Sequence, residues 1–160
     1  MSFVAHLING ISLGSVYALI ALGYTMVYGI AKMLNFAHGD VIMIGGYVVF
    51  VTASGMGINP LAAIIISMAA CTVLGVTIER VAYRPLRGAS PLAVLITAIG
   101  VSYLLQNVAL LVFGSDTKAF SNVVTLPNLE LFGGQLIIKS VTIVTVIVSI
   151  IIMVGLTFFV

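Results

Sequence analysis

Charge is what this sequence has least of. Six Lys and Arg and four Asp and Glu make up 6% of its 160 residues, whereas an ordinary soluble domain is about a quarter charged. So few charged side chains cannot cover a water-facing surface. The basic residues form no stripe and the formal net charge is only +2, which excludes a nucleic-acid interface. Cysteine is scarcer still: Cys71 stands alone in an apolar run, so it can form neither an intramolecular disulfide nor a thiol cluster, and it reads as a small packing residue. No HExxH helix and no paired Cys/His spacing is present, which argues against a metal site. No GxSxG elbow exists and the acids are scattered singly, so nothing suggests catalysis. None of Lys32, Lys118 and Lys139 closes a GxxxxGK[ST] phosphate loop, so any ATP chemistry has to come from another chain. Residues 1–8 lack a basic segment and a small-residue cleavage site, and the first apolar run is expected to be retained rather than removed as a signal.

What is abundant is apolar surface: 62% of residues are hydrophobic and the mean hydropathy is +1.32. A chain this short leaves much of its area outside any core, so lipid is the solvent that accepts the excess. Charged residues divide the sequence into uncharged runs at 3–31, 41–78, 88–115 and 140–160. A helix rising about 1.5 Å per residue needs about 20 residues to cross a hydrocarbon core of about 30 Å. The second run is too long for one crossing and contains Ser54-Gly55-Met56-Gly57-Ile58-Asn59-Pro60, a cluster of turn formers ending in a helix-starting proline, so it splits. The expected fold is all-α: one polytopic transmembrane helical bundle over 1–160, with crossings at 5–29, 33–53, 60–78, 92–113 and 141–160. Between the last two, Leu129-Glu130-Leu131-Phe132 and Gln135-Leu136-Ile137-Ile138 flank Gly133-Gly134 at the spacing of a two-residue β-hairpin, either a small outer cap or a plain connector.

Lys and Arg are retained on the cytoplasmic side of a membrane. With five crossings Lys32, Arg80, Arg84 and Arg87 share one side, and Lys118 and Lys139 the other. This places 79–91 as a cytoplasmic loop, 114–140 as a periplasmic loop, and the N-terminus outside.

Small residues recur at a spacing of four in the first crossing, at Gly10, Gly14 and Ala18, and again at Ser67, Cys71 and Gly75 in the third. That interval lets helix backbones approach closely, within a bundle or between subunits. Asn35, His38 and Asp40 fall in the first two turns expected for the second crossing, beside Gly39 and ahead of Gly45-Gly46. Polar groups at such depth are functional candidates, and the glycines suggest a broken or re-entrant start whose freed backbone lines a passage. The competing reading makes 34–40 an interfacial loop on the cytoplasmic side. Arg80, Arg84 and Arg87 fix topology, with ATPase contact as a second role.

Three blocks go further: residues 9–15 (NGISLGS), 21–29 (ALGYTMVYG) and 35–40 (NFAHGD). With 79–87 (ERVAYRPLR), Ala98-Ile99-Gly100 and Gln106-Asn107, they strongly resemble branched-chain amino-acid ABC transporter permeases of the LivH type. The resemblance implies a heteromeric importer in a bacterial inner membrane. Two related permease subunits form the passage, two cytoplasmic ABC ATPases use the ATP, and a periplasmic solute-binding protein delivers a hydrophobic amino acid. This chain would hold no cofactor and catalyse no reaction. Relatives that carry urea, short amides or other amino acids leave the substrate open, and a passive channel or a non-transporting scaffold subunit are the rival classes. Asn59-Pro60 faintly resembles an aquaporin signature, without a second copy. Family permeases are about twice this length, so the sequence reads as the N-terminal half of one, or a truncated form.

Overall fold

The computed structural model describes residues 2–120, 127, 129–131 and 136–159. Five α-helices dominate: α1 (Ser2–Ala31), α2 (His38–Phe50), α3 (Pro60–Ile78), α4 (Pro91–Phe113) and α5 (Ser140–Phe159). The fold is all-α and polytopic, as expected. Four helical stretches are long and apolar enough to cross a membrane: Phe3–Ala31, Pro60–Leu86, Pro91–Phe113 and Ser140–Phe159.

The chain divides into two compact units, residues 1–30 with 124–160, and residues 31–123. The first holds α1, α5 and a two-stranded antiparallel sheet of β1 (Leu129–Leu131) and β2 (Leu136–Ile138). The register pairs Leu129 with Ile138 and Leu131 with Leu136, which is the pairing the hairpin pattern calls for; the Gly133-Gly134 turn itself lies outside the described residues. Within this unit an added Cβ at Gly10 or Gly14 would meet nothing within 4 Å.

The second unit holds α2, α3 and α4. Its helix starts follow from local chemistry. Asn59 caps α3, its Oδ1 accepting from Leu61 N at 3.0 Å, and Pro60 occupies the first turn, where a missing N–H costs nothing. Asn59-Pro60 is thus a helix start, which accounts for the dipeptide without a channel signature. Ser90 and Pro91 repeat the device at α4. Gly114, with φ +77, ends α4 in backbone that favours glycine.

Helices α2 and α3 lie antiparallel. Ser67 Oγ donates to Gly45 O at 2.8 Å, and Cys71 Sγ reaches Val41 O at 3.6 Å. Gly45 permits this approach, since a Cβ built there would sit 2.8 Å from Cys71 Sγ. The small residues Ser67 and Cys71 therefore pack within the chain.

Two boundaries differ from expectation. Residues 79–87, read as loop because of their charges, are largely helical: α3 continues into a π turn (Glu79–Tyr83) and a 3-10 turn (Arg84–Leu86). Glu79 and Arg87, an ion pair across these turns, are both solvent-accessible, which limits the pair to about 1 kcal/mol or less. The crossing expected at 33–53 is not among the four spanning stretches: helix begins at His38, not Met33, and the 13 residues of α2 fall short of the roughly 20 a crossing needs. Lys32, with φ +55, ends α1 in a left-handed conformation, and residues 32–37 are not helical. The apolar part of α2 is prolonged by a second π turn, Val51–Gly55.

Candidate functional site

Asp40 lies in the first turn of α2 with 8% of its surface exposed. Its carboxylate accepts from two side chains one turn apart on α4: Ser102 Oγ at Oδ2, and Gln106 Nε2 at Oδ1, the latter at 3.0 Å. Gln106 Nε2 also donates to Ser102 Oγ at 3.2 Å. Ser102 is the central residue of the 23-residue α4, a helix about 35 Å long at 1.5 Å per residue. The start of α2 is therefore level with the middle of a helix that crosses the membrane. Further along α2, Tyr47 stacks on Phe113, the last residue of α4, with ring centroids 4.3 Å apart and an interplanar angle of 4°. Helix α2 thus accompanies only the second half of α4.

The first half has a different companion. Tyr83, Val94 and Ala98 form a buried apolar cluster against which Met33, Ile78, Ala82 and Leu86 pack. The non-helical segment 32–37 is anchored there by Asn35, whose Oδ1 accepts from Ala37 N at 3.1 Å and from Tyr83 OH at 2.8 Å. The first bond closes a local turn that competes with helix, the second ties it to the end of α3. The stretch between α1 and α2 is consequently non-helical over 32–37 and helical from His38. Backbone of that kind at membrane depth is tolerated where protein buries it or water lines it.

Asn35, His38 and Asp40 are all on this stretch, and the structure joins them to residues that sequence reasoning did not single out as site residues. Tyr83 holds Asn35; Ser102 and Gln106 hold Asp40. His38 is half-buried and donates its backbone N–H to Asn35 O at 3.2 Å. Arg80, Arg84 and Arg87 are exposed at the charged end of the Pro60–Leu86 span, on the same turns that carry Tyr83.

Energetics give Asp40 its interest. A charged side chain at the centre of a membrane helix costs roughly 2.5 to 3.5 kcal/mol, while interhelical hydrogen bonds between membrane helices return about 0.6 kcal/mol each. Two such bonds do not offset the charge. A buried carboxylate bonded at the middle of an apolar helix is on that ground a candidate for function.

Tyr83→Phe isolates the Asn35 anchor. Removing the hydroxyl that donates to Asn35 while preserving the ring is expected to cost about 1 kcal/mol or more, read as a fall in thermal midpoint in detergent. An unchanged midpoint would mean that the apolar cluster alone fixes the unwound segment.

The geometry has counterparts among known proteins. The chain is 44% identical over 170 residues to the high-affinity branched-chain amino acid transport system permease protein BraD of Pseudomonas aeruginosa, covering 99% of this chain and 55% of that protein. It is 48% identical over 150 residues to the permease protein LivH of the corresponding system of Salmonella typhimurium, and 46% identical over 144 residues to LivH of Escherichia coli, covering 86% and 85% of this chain and 45% and 44% of those proteins. It spans about half the length of the curated relatives it matches. No solved structure matches it significantly. The family model for the permease component of branched-chain amino acid transport systems matches residues 6–160, and with four helical stretches long and apolar enough to cross a bilayer, this chain is a multi-pass membrane protein that belongs to that family.

Proposed function

We propose that this chain forms part of the permease subunit of an ATP-driven importer that moves branched-chain, hydrophobic amino acids across a bacterial inner membrane. The observation that carries the reading is the family match along nearly the whole chain, coinciding with a carboxylate, Asp40, bonded at the centre of the apolar helix α4. The chain itself catalyses nothing and holds no cofactor. A second permease subunit completes the passage, for which the Gly10, Gly14, Ala18 stripe offers a close-approach face. Two cytoplasmic ABC ATPases supply the energy, and a periplasmic solute-binding protein delivers the substrate. Arg80, Arg84 and Arg87 hold 79–87 on the cytoplasmic side, within reach of an ATPase, and set the N-terminus outside. Alternating access opens the passage to either side in turn, with Asn35, His38 and Asp40 as the gate, since unwound backbone and a helix start absorb movement more readily than a continuous helix.

The test is reconstitution of the importer in proteoliposomes with loaded binding protein. ATP-dependent uptake of leucine, isoleucine or valine is expected, with none when the ATPase is disabled. Uptake that persists without hydrolysis would identify a passive channel, and uptake of urea or short amides alone would reassign the substrate.

A further inference from the structure

We infer that Asp40, with Ser102 and Gln106, receives the α-ammonium group of the amino acid at the middle of the membrane. The inference rests on the importer reading above and assigns a substrate contact within it.

A zwitterion entering a low-dielectric passage loses the hydration of both its charges, and its ammonium needs acceptors and a counter-charge at the deepest point. Of the four acids in the chain, Glu79 lies towards the charged end of the Pro60–Leu86 span and is paired with Arg87. Asp116 and Glu130 lie outside the spans. Asp40 alone is brought level with the centre of a crossing helix.

The atoms presented there suit a cation. A carboxylate offers about four lone-pair positions, and Ser102 and Gln106 occupy one on each oxygen of Asp40. Ser102 Oγ has a lone pair free beside them. Among the described residues Gln106 Oε1 accepts no hydrogen bond, and Gln106 is exposed while Ser102 is only half-buried. The cluster is therefore closed behind Asp40 and open on the α4 side, and its unused capacity is for donors. An ammonium brings three. The aliphatic side chain of the substrate needs only the apolar surface around it, so the contact reads the part common to every amino acid. Urea could donate N–H groups to the same acceptors but brings no positive charge to pair with the carboxylate. The cluster thus favours amino acids over neutral amides.

The decisive measurement uses the assembled importer in proteoliposomes with saturating leucine-loaded binding protein, following leucine uptake and ATP hydrolysis together. Asp40→Asn, close to isosteric, is expected to lower uptake about tenfold or more while hydrolysis continues, with partial recovery in Asp40→Glu. Unchanged uptake in Asp40→Asn overturns the inference, as does a parallel fall in uptake and hydrolysis in an importer that still assembles. Should Asp40→Asn fail to assemble, Gln106→Leu decides, because that exposed side chain is replaced without burying anything: several-fold slower uptake with hydrolysis intact supports the contact, and full uptake refutes it. A parental importer that moves no amino acid at all would instead refute the proposed function.

Discussion

Gly45→Leu is expected to separate α2 from α3 and to lower the stability of the permease by about 2 to 4 kcal/mol. Two losses combine. A Cβ at this position would sit 2.8 Å from Cys71 Sγ, closer than real Cβ atoms come, and a tight 3.3 Å from Ser67 Oγ. Neither contact is the free end of a long side chain that could swing aside, and overpacking of this sort costs about 1 to 3 kcal/mol. The bond from Ser67 Oγ to Gly45 O, 2.8 Å long, breaks as the helices part, leaving a buried hydroxyl to find another acceptor at a cost of about 1 kcal/mol. Gly45→Ala is a milder version, because it brings the same Cβ without the rest of the leucine side chain, and Gly45→Ala with Cys71→Ala should recover most of what the single change loses. Gly46→Leu on the same helix is the control, since nothing lies within 4 Å of a Cβ there. Thermal unfolding of the detergent-solubilised protein reads all four. Equal midpoints for the Gly45 and Gly46 variants would show that the α2–α3 approach is looser than the geometry says.

Most of the helices are legible in the sequence alone, and for a physical reason. Lipid tolerates few charges and water few long apolar runs, so gaps between charged residues mark crossings directly. The expected 60–78 and 92–113 correspond to Pro60–Ile78 and Pro91–Phe113, because Pro60 and Pro91 fix helix starts that need only local chemistry. Misreadings arise where charge and helix coincide. Glu79, Arg80 and Arg84 suggest a loop, yet residues 79–86 remain helical in π and 3-10 turns, with the charged groups on solvent-facing positions. The site is harder. Asn35 and Asp40 are identifiable as polar groups at an expected membrane depth, but their partners lie 48, 62 and 66 residues away. No periodicity in an apolar helix says which of its faces will meet an aspartate from another. Ser102 and Gln106 are spaced one turn apart, and that i, i+4 pair on an otherwise apolar helix is the available signal for a polar face.

Asp40→Leu is expected to abolish most transport while leaving the fold at least as stable. The opposing terms can be weighed. Losing the bonds from Ser102 and Gln106 removes about 1 kcal/mol in total if each carries the average for membrane helices. The two donors are not stranded, since Gln106 Nε2 already lies 3.2 Å from Ser102 Oγ, and serine in a helix can turn to a carbonyl of the preceding turn. Against this stands relief of the roughly 2.5 to 3.5 kcal/mol that a charge costs at mid-membrane. The second term wins, so the thermal midpoint should hold or rise. Uptake of leucine, by contrast, should fall by about tenfold or more, because hydrogen bonds to a charged group that forms them only during passage are lost outright. A gain in stability coupled to a loss of activity is what a residue retained for function rather than packing produces. If Asp40→Leu instead lowered the midpoint in proportion to the lost uptake, the carboxylate would be a strut between α2 and α4, and the non-helical stretch before α2 would owe its shape to Asp40 rather than using it.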